Sequence, residues 1–105
     1  MIPASLPLTI LPPAADELRQ AMRWYDGQAR GLGRVFLAEA NQQVRRIMQF
    51  PEAYPVLVSA CRRAALHRFP YAIWYRVLPA TVEVVAVFDT RGDPERIGFR
   101  VEALP

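Results

Sequence analysis

The chain has 105 residues, enough for one domain with one modest hydrophobic core, which excludes a two-domain enzyme. Its 52% hydrophobic and 22% charged residues are close to globular averages, which argues against a disordered chain, a collagen-like repeat or a disulfide framework. The net charge is +3 and all 13 basic residues are arginines, so chemistry that needs a lysine amine, such as Schiff-base catalysis, is excluded.

One cysteine and one histidine set further limits on the chemistry. Cys61 and His67 cannot form a disulfide within the chain or complete a structural zinc site, which needs four ligands, so no metal and no cofactor are expected. We expect Cys61 to be a small buried hydrophobic residue, and His67 to be an ordinary strand residue and not a catalytic base. The unpaired cysteine and the lack of an apolar run of about 20 residues predict a cytoplasmic protein that does not enter a membrane.

The first half of the chain predicts a strand followed by a helical hairpin. Apolar residues alternate from Leu6 to Ile10, and Pro12-Pro13 then closes a strand and opens a helix. We expect Asp16 and Glu17 in its first turn, where the helix dipole favours negative charge. An apolar stripe at helical spacing continues this helix: Leu18, Ala21, Met22 and Tyr25.

Glycines then interrupt the stripe, and a second helix is predicted over about residues 34–50. Trp24, Tyr25 and Phe36 lie on or beside the helical stripes and are expected in the core. Pro51 and Pro55 prevent the helix from continuing, so residues 50–55 are predicted to form a loop.

From Cys61 the hydrophobic period changes to two. It predicts strands at about residues 62–69, 71–78 and 82–88 in an antiparallel meander, with a short helix over about 94–99 after the Asp93-Pro94 cap. Turn and cap chemistry accounts for Asp89 and Asp93. The predicted order β-α-α-β-β-β-α is an α+β single domain over residues 1–105, with flexible ends at about 1–5 and 101–105.

Basic side chains concentrate between Cys61 and Leu78, a segment we call the basic ribbon. It holds His67 and no acid, together with four arginines: Arg62, Arg63, Arg68 and Arg76. Strand alternation predicts Arg62 and Arg68 on one face, and Trp74 with Arg76 on one face of the next strand. Two interpretations stay open: a face that binds anions or nucleic acid, with Trp74 stacking on a base, or a solvated face whose arginine stems cover apolar neighbours.

Four stretches of the sequence resemble the RelE/ParE superfamily of bacterial type II toxins, on its ParE-like side. They are AADELRQAMRWYDGQARGLGRVFLAEA (14–40), FPEAYPVL (50–57), RFPYAIWYRV (68–77) and AVFDTRGDPERI (86–97). The resemblance extends over about residues 6–99, and RFPYAIWYRV following FPEAYP is its most specific part. It implies a helical hairpin packed on a small twisted antiparallel sheet.

The resemblance also implies a partner. Toxins of this superfamily are paired with a cognate antitoxin, here expected to be small, acidic and ParD-like, whose flexible C-terminal segment folds into a groove between hairpin and sheet. We therefore expect a hetero-oligomer with the antitoxin, and contact with DNA only through that antitoxin.

Two target classes are known in the superfamily. ParE-like members poison DNA gyrase through a protein contact, without catalysis. The residues expected to contact target or antitoxin are Arg63, Arg68, Trp74, Arg76 and Arg91. One departure from relatives is the turn Asp89-Thr90-Arg91-Gly92-Asp93-Pro94, where they commonly have His-x-Arg-Arg-Asp-Pro.

RelE-like members cleave messenger RNA on the ribosome, and this is the alternative function. The residues that would serve it are Arg62, Arg68 and Arg76 as phosphate stabilisers and Tyr71 or Tyr75 as proton carrier. Arginine is a poor base at neutral pH. The tyrosine that RelE members usually have near the C-terminus has no counterpart here, since Phe99 is the only aromatic residue in the last stretch and lacks the hydroxyl, so no catalytic residue is assigned. A third hypothesis is a non-toxic binding module within a DNA-bound repressor complex.

Overall fold

A computed structural model describes residues 7–104. This part of the chain is α+β, as predicted, with three helices and five strands. In chain order they are β1 (Leu8–Ile10), α1 (Pro12–Gln28), α2 (Leu32–Gln49), β2 (Val56–Val58), β3 (Cys61–Ala65), β4 (Tyr71–Val77), β5 (Val82–Asp89) and α3 (Glu95–Glu102).

The predicted helical hairpin is confirmed, with shifted boundaries. The prolines occupy the first two positions of α1, so Asp16 and Glu17 lie beyond the first turn, contrary to the prediction. Helix α2 begins at Leu32, two residues earlier than predicted, because Gly31 adopts a left-handed conformation (φ 86°) that turns the chain before it. It ends at Gln49, with Phe50 as the C-cap residue.

The two helices approach closely at Gly33. A Cβ atom at this position would lie 2.6 Å from the carbonyl oxygen of Met22 in α1. The Asp26 carboxylate accepts hydrogen bonds from the amides of Gly31 (3.0 Å) and Gly33 (3.2 Å), so a side chain of α1 satisfies donors at the start of α2.

The five strands form one sheet in the order β1-β5-β4-β3-β2. The meander β3-β4-β5 is antiparallel as predicted, but β1 pairs with β5 in parallel, so the sheet is mixed rather than antiparallel. The helical hairpin follows β1 directly and separates it from the rest of the sheet in sequence. The last strand, β5, then lies beside β1 in the same direction.

Strand β2 was not predicted. It forms a hairpin with β3 through Ser59 and Ala60, which both have positive φ (49° and 62°). Such turns usually contain Asn or Gly, and this pair gives no sequence signal for one.

Strand β3 ends at Ala65, four residues earlier than predicted, because the amides of His67 and Arg68 turn to the Glu39 carboxylate of α2. His67 therefore lies in a loop and not in a strand. Helix α3 extends past its predicted end through Glu102, so part of the end expected to be flexible is helical. The other end, residues 1–5, lies outside the described residues.

Each face of the sheet has its own core. The hairpin covers one face, where Phe36, Ile47 and Tyr75 are fully buried. Helix α3 covers the other, where Cys61, Trp74 and Ile97 are buried, and the prediction for Cys61 is confirmed. In β5 a bulge turns two consecutive residues, Val85 and Ala86, to the α3 side.

Candidate functional site

A groove of about 620 Å³ lies between α1 and the ends of β4 and β5, on the hairpin side of the sheet. We call it the α1–β5 groove. Trp24 lies in its wall and is 58% exposed, so the expectation that this residue belongs to the core is wrong. The groove is lined by Glu17, Gln20, Ala21, Trp24, Tyr25, Pro70, Tyr71, Val87, Phe88, Asp89, Arg91 and Arg96.

Packed aromatic rings support the floor of the groove. Tyr25 stacks on Phe36 with 5.3 Å between ring centroids and meets Tyr71 edge-on at 5.9 Å. The prediction that Tyr25 and Phe36 lie in the core is confirmed. Burial raises the pKa of both Tyr25 and Tyr71, so their hydroxyls stay protonated at neutral pH. The exposed Trp24 ring packs edge-on against Tyr25 at 5.0 Å.

Two arginines, Arg91 and Arg96, lie at the rim of the groove, together with the acids Glu17 and Asp89. The Arg91 side chain donates to both carboxylate oxygens of Asp89, at 2.9 and 2.5 Å, and its amide also donates to that carboxylate. These hydrogen bonds lower the pKa of Asp89 to about 2. The Arg96 guanidinium lies over the Phe88 ring, 4.1 Å from its centroid. An aromatic floor with the exposed guanidinium groups of Arg91 and Arg96 at its rim suits an amphipathic peptide segment that carries acidic side chains.

The turn after β5 has the predicted turn and cap chemistry. The Asp89 contacts form an Asx-type turn, and the Asp93 carboxylate accepts a hydrogen bond from the amide of Glu95 at 2.9 Å, at the start of α3.

The arginines of the basic ribbon are held by groups from neighbouring elements. Arg76 forms an ion pair with Glu83 of β5 at 2.8 Å, and Arg68 with Glu39 of α2 at 3.3 Å. Arg62 donates to the carbonyl oxygens of Glu52 and Tyr54, in the loop before β2. Two of the ribbon's four arginines are therefore paired with acids, whereas Arg62 bonds neutral carbonyl groups and Arg63 lies near the Trp74 ring.

The structure separates side chains that the sequence grouped together. Arg62 and Arg68 do not share a strand face, because β3 ends before Arg68. Trp74 and Arg76 share a face of β4, as alternation predicted, and Arg63 lies on the same side with its guanidinium 5.9 Å from the Trp74 ring centroid. Trp74 is only 4% exposed, so its ring is not free to stack on a base.

The residues named for RNA cleavage do not form one group, although Arg62 of β3 lies opposite Tyr75 of β4 in the strand register. Tyr75 is fully buried on the hairpin side, and its hydroxyl donates to the carbonyl of Pro51 at 2.6 Å. Burial raises the pKa of Tyr75 to about 12. Arg76 follows Tyr75 in the strand and points to the opposite face, so the sheet separates this phosphate stabiliser from the tyrosine.

Further positive charge without an acidic partner among the described residues lies on the helical hairpin. Five exposed arginines there make no ion pair and no side-chain hydrogen bond to any residue between 7 and 104: Arg23, Arg30, Arg34, Arg45 and Arg46. Sequence reasoning passed over them because acids are interspersed among them in the chain. Within the same residue range, no three His, Cys, Asp or Glu side chains are grouped closely enough to hold a metal ion. None of the helices described has the length and apolar character needed to cross a membrane.

Of the comparisons with known proteins, the one with solved structures gives matches. No protein-family model matches the sequence, and no curated protein matches it. Among solved structures, a chain from the chromosomal ParDE TA system of P. aeruginosa superposes with a TM-score of 0.73. The alignment covers 83% of this chain and 98% of that chain, at 18% sequence identity. The chain has a ParE-like fold. At this identity the similarity is one of fold alone.

Proposed function

We propose that the chain is a ParE-like toxin of a type II toxin–antitoxin system, neutralised by a cognate antitoxin and inhibiting DNA gyrase when free. The observation that carries the proposal is the fold shared with a chain of a ParDE TA system over 98% of that chain's length. The resemblance found in the sequence, from residue 6 to residue 99, supports the same assignment.

The α1–β5 groove is the proposed binding site of the antitoxin. Its exposed Trp24 and the aromatic floor would take the apolar face of an amphipathic segment, while Arg91 and Arg96 would meet its acidic side chains. A small acidic protein suits the net charge of +3. The complex would be a hetero-oligomer in the cytoplasm that reaches DNA only through the antitoxin.

A protein contact fits the described geometry better than catalysis does. Tyr75 is buried and hydrogen-bonded, Arg62 is tied to backbone carbonyls and Arg76 is paired with Glu83, so three residues of the ribonuclease hypothesis already have internal partners. Arg68 and Arg91 are also ion-paired, with Glu39 and Asp89, but they keep most of their side-chain surface exposed, at 67% and 79%, and stay candidates for contact with target or antitoxin.

Neutralisation can be tested in cells. Expression of the chain alone should arrest growth, and co-expression of the small acidic protein from the neighbouring reading frame should relieve the arrest. The Trp24→Ala variant should still arrest growth but require more antitoxin, since it loses an apolar contact in the groove. Normal growth on expression of the chain alone would instead support the non-toxic binding module.

The target is tested with purified components. The chain should inhibit supercoiling by gyrase and leave ribosome-bound message intact. Cleavage of that message, lost in Arg76→Ala, would establish the ribonuclease alternative and overturn the gyrase assignment.

A further inference from the structure

We propose that the turn between α1 and α2 is a second docking site, for an acidic segment of a partner protein. A groove of about 490 Å³ lies at this turn, lined by Met22, Arg23, Asp26, Arg30, Gly31, Gly33 and Arg34. We call it the hairpin-turn groove. The inference stands apart from the proposed function, because it needs neither the α1–β5 groove nor gyrase.

Three arginines converge on the hairpin-turn groove from different parts of the hairpin. Arg23 belongs to α1, Arg30 to the turn and Arg34 to the first turn of α2. All three are exposed and make no ion pair with any residue of the range 7–104. Like-charged groups brought together repel one another, so a ligand that supplies negative charge is favoured here.

The carboxylate in this groove is already engaged. Oδ1 of Asp26 accepts the amide hydrogens of Gly31 and Gly33, so this oxygen is bonded to the start of α2, and no described arginine forms an ion pair with Asp26. Three guanidinium groups against one carboxylate leave the groove with a net positive charge. Arginine presents a planar fork that binds carboxylates through two parallel hydrogen bonds.

The hairpin-turn groove and the α1–β5 groove lie on different faces of α1. At 3.6 residues per turn, residues two apart are separated by about 200° around a helix. Trp24 lines the α1–β5 groove, whereas Met22 and Asp26, two residues before and after it, line the hairpin-turn groove. One chain could therefore bind two segments at once.

The spacing of the charges favours an acidic peptide over nucleic acid. The next unpaired arginines, Arg45 and Arg46, follow Arg34 by eleven residues or more, which is roughly 16 Å along α2. Nucleic acid is bound by a continuous track of cations along the phosphate backbone, and this surface has a compact cluster with a gap instead. Two or three carboxylates close together on one protein segment match the cluster.

Fluorescein-labelled hexaglutamate provides the probe, with the full-length chain at low ionic strength and binding followed by fluorescence anisotropy. Two matched double variants each remove two positive charges: Arg23→Gln/Arg30→Gln in the groove, and Arg45→Gln/Arg46→Gln at the far end of α2. We expect the groove variant to weaken binding about tenfold, because two converging ion pairs are lost, and the control variant to weaken it less than about threefold.

Amide shifts in the unmodified protein provide an independent readout. Hexaglutamate should move the ¹⁵N–¹H resonances of Gly31 and Gly33, because both residues line the groove and their amides bond Asp26, which also lines it. Equal weakening by the two double variants, or no shift at these glycines, would overturn the site. If a labelled dT6 oligonucleotide bound more tightly than hexaglutamate and the groove variant lost this binding, the ligand of the site would be nucleic acid. That result would overturn the proposed acidic peptide.

Discussion

Glu17 of α1 and Arg100 of α3 form a two-point ion pair beside β5, with Arg100 Nη1 2.8 Å from Oε1 and Nη2 3.0 Å from Oε2. Each partner also bonds the β5 backbone: Glu17 accepts from the amide of Val87 (3.0 Å), and Arg100 donates to the carbonyl of Val85 (3.1 Å). Strand β1 pairs with β5 only as far as Val84, so the ion pair satisfies backbone groups of the unpaired strand edge that follows.

We expect the folded chain to lose much of its stability when one partner of the Glu17–Arg100 pair is removed. Arg100→Gln should lower the free energy of unfolding by about 2 kcal/mol, because it leaves a half-buried carboxylate unpaired and a strand carbonyl without its donor. Urea denaturation followed by circular dichroism measures the change.

The exposed pair Arg19–Asp16 provides the control. Its two side chains are 58% and 62% exposed, so Arg19→Gln should change stability by less than about 0.5 kcal/mol. Equal effects of the two substitutions would contradict the role assigned to the strand-edge pair.

Two glycines of the hairpin should respond to alanine in opposite directions. At Gly33 a Cβ atom would lie 2.6 Å from the Met22 carbonyl, so Gly33→Ala should force the helices apart and cost about 2 kcal/mol of stability. At Gly27 a Cβ atom would meet nothing within 4 Å, so Gly27→Ala should stabilise α1 by about 0.5 kcal/mol. Thermal unfolding of both variants checks the prediction, and a stabilising Gly33→Ala would refute the close helix contact.

Because Tyr75 is buried, we expect the folded chain to lose stability in alkaline solution. Its pKa is about 12 in the folded chain, above the ordinary value of 10, so the unfolded chain ionises first as the pH rises. The free energy of unfolding should therefore fall between about pH 10 and 12. Raised pKa values at Tyr25 and Tyr71 act in the same direction.

The Tyr75→Phe variant isolates this contribution. It should lose about 1 kcal/mol at neutral pH, because the Pro51 carbonyl loses its donor, and its stability should depend less on pH in the alkaline range. An unchanged alkaline slope would show that Tyr75 does not titrate as described.

The two tryptophans should behave as separate fluorescence reporters. Trp24 is 58% exposed in the α1–β5 groove and Trp74 is 4% exposed under α3, so acrylamide should quench only one of them efficiently. Binding of the antitoxin segment should protect Trp24 and shift its emission to shorter wavelength. The Trp24→Phe variant should lose both responses, and a response that persists in this variant would place the partner elsewhere.

Local patterns in the sequence predicted much of the fold. The apolar stripes gave the helical hairpin, Pro12-Pro13 its start, and the two-residue period the meander β3-β4-β5. Local signals could not predict the parallel pairing of β1 with β5, because it joins residues more than 70 positions apart. The hairpin β2-β3 was missed because its turn residues, Ser59 and Ala60, are not those that such turns favour.

The candidate site was less accessible to sequence reasoning. The basic ribbon contains no acid, but Glu39 and Glu83 reach its arginines from α2 and β5, and only the folded chain brings them together. Trp24 was placed in the core beside Tyr25, although neighbouring residues on a helix point about 100° apart and only Tyr25 faces inward. Which arginines have an acidic partner depends on tertiary contacts, and these cannot be read from the order of residues in the chain.

Gyrase inhibition by the purified chain tests the central claim most directly. Relaxed plasmid, gyrase and ATP are incubated with increasing amounts of the folded chain, and supercoiled and cleaved DNA are separated on a gel. We predict loss of supercoiling and accumulation of cleaved complex, both reversed by prior addition of the antitoxin. Full supercoiling and no cleaved complex at a molar excess of folded chain would contradict the account.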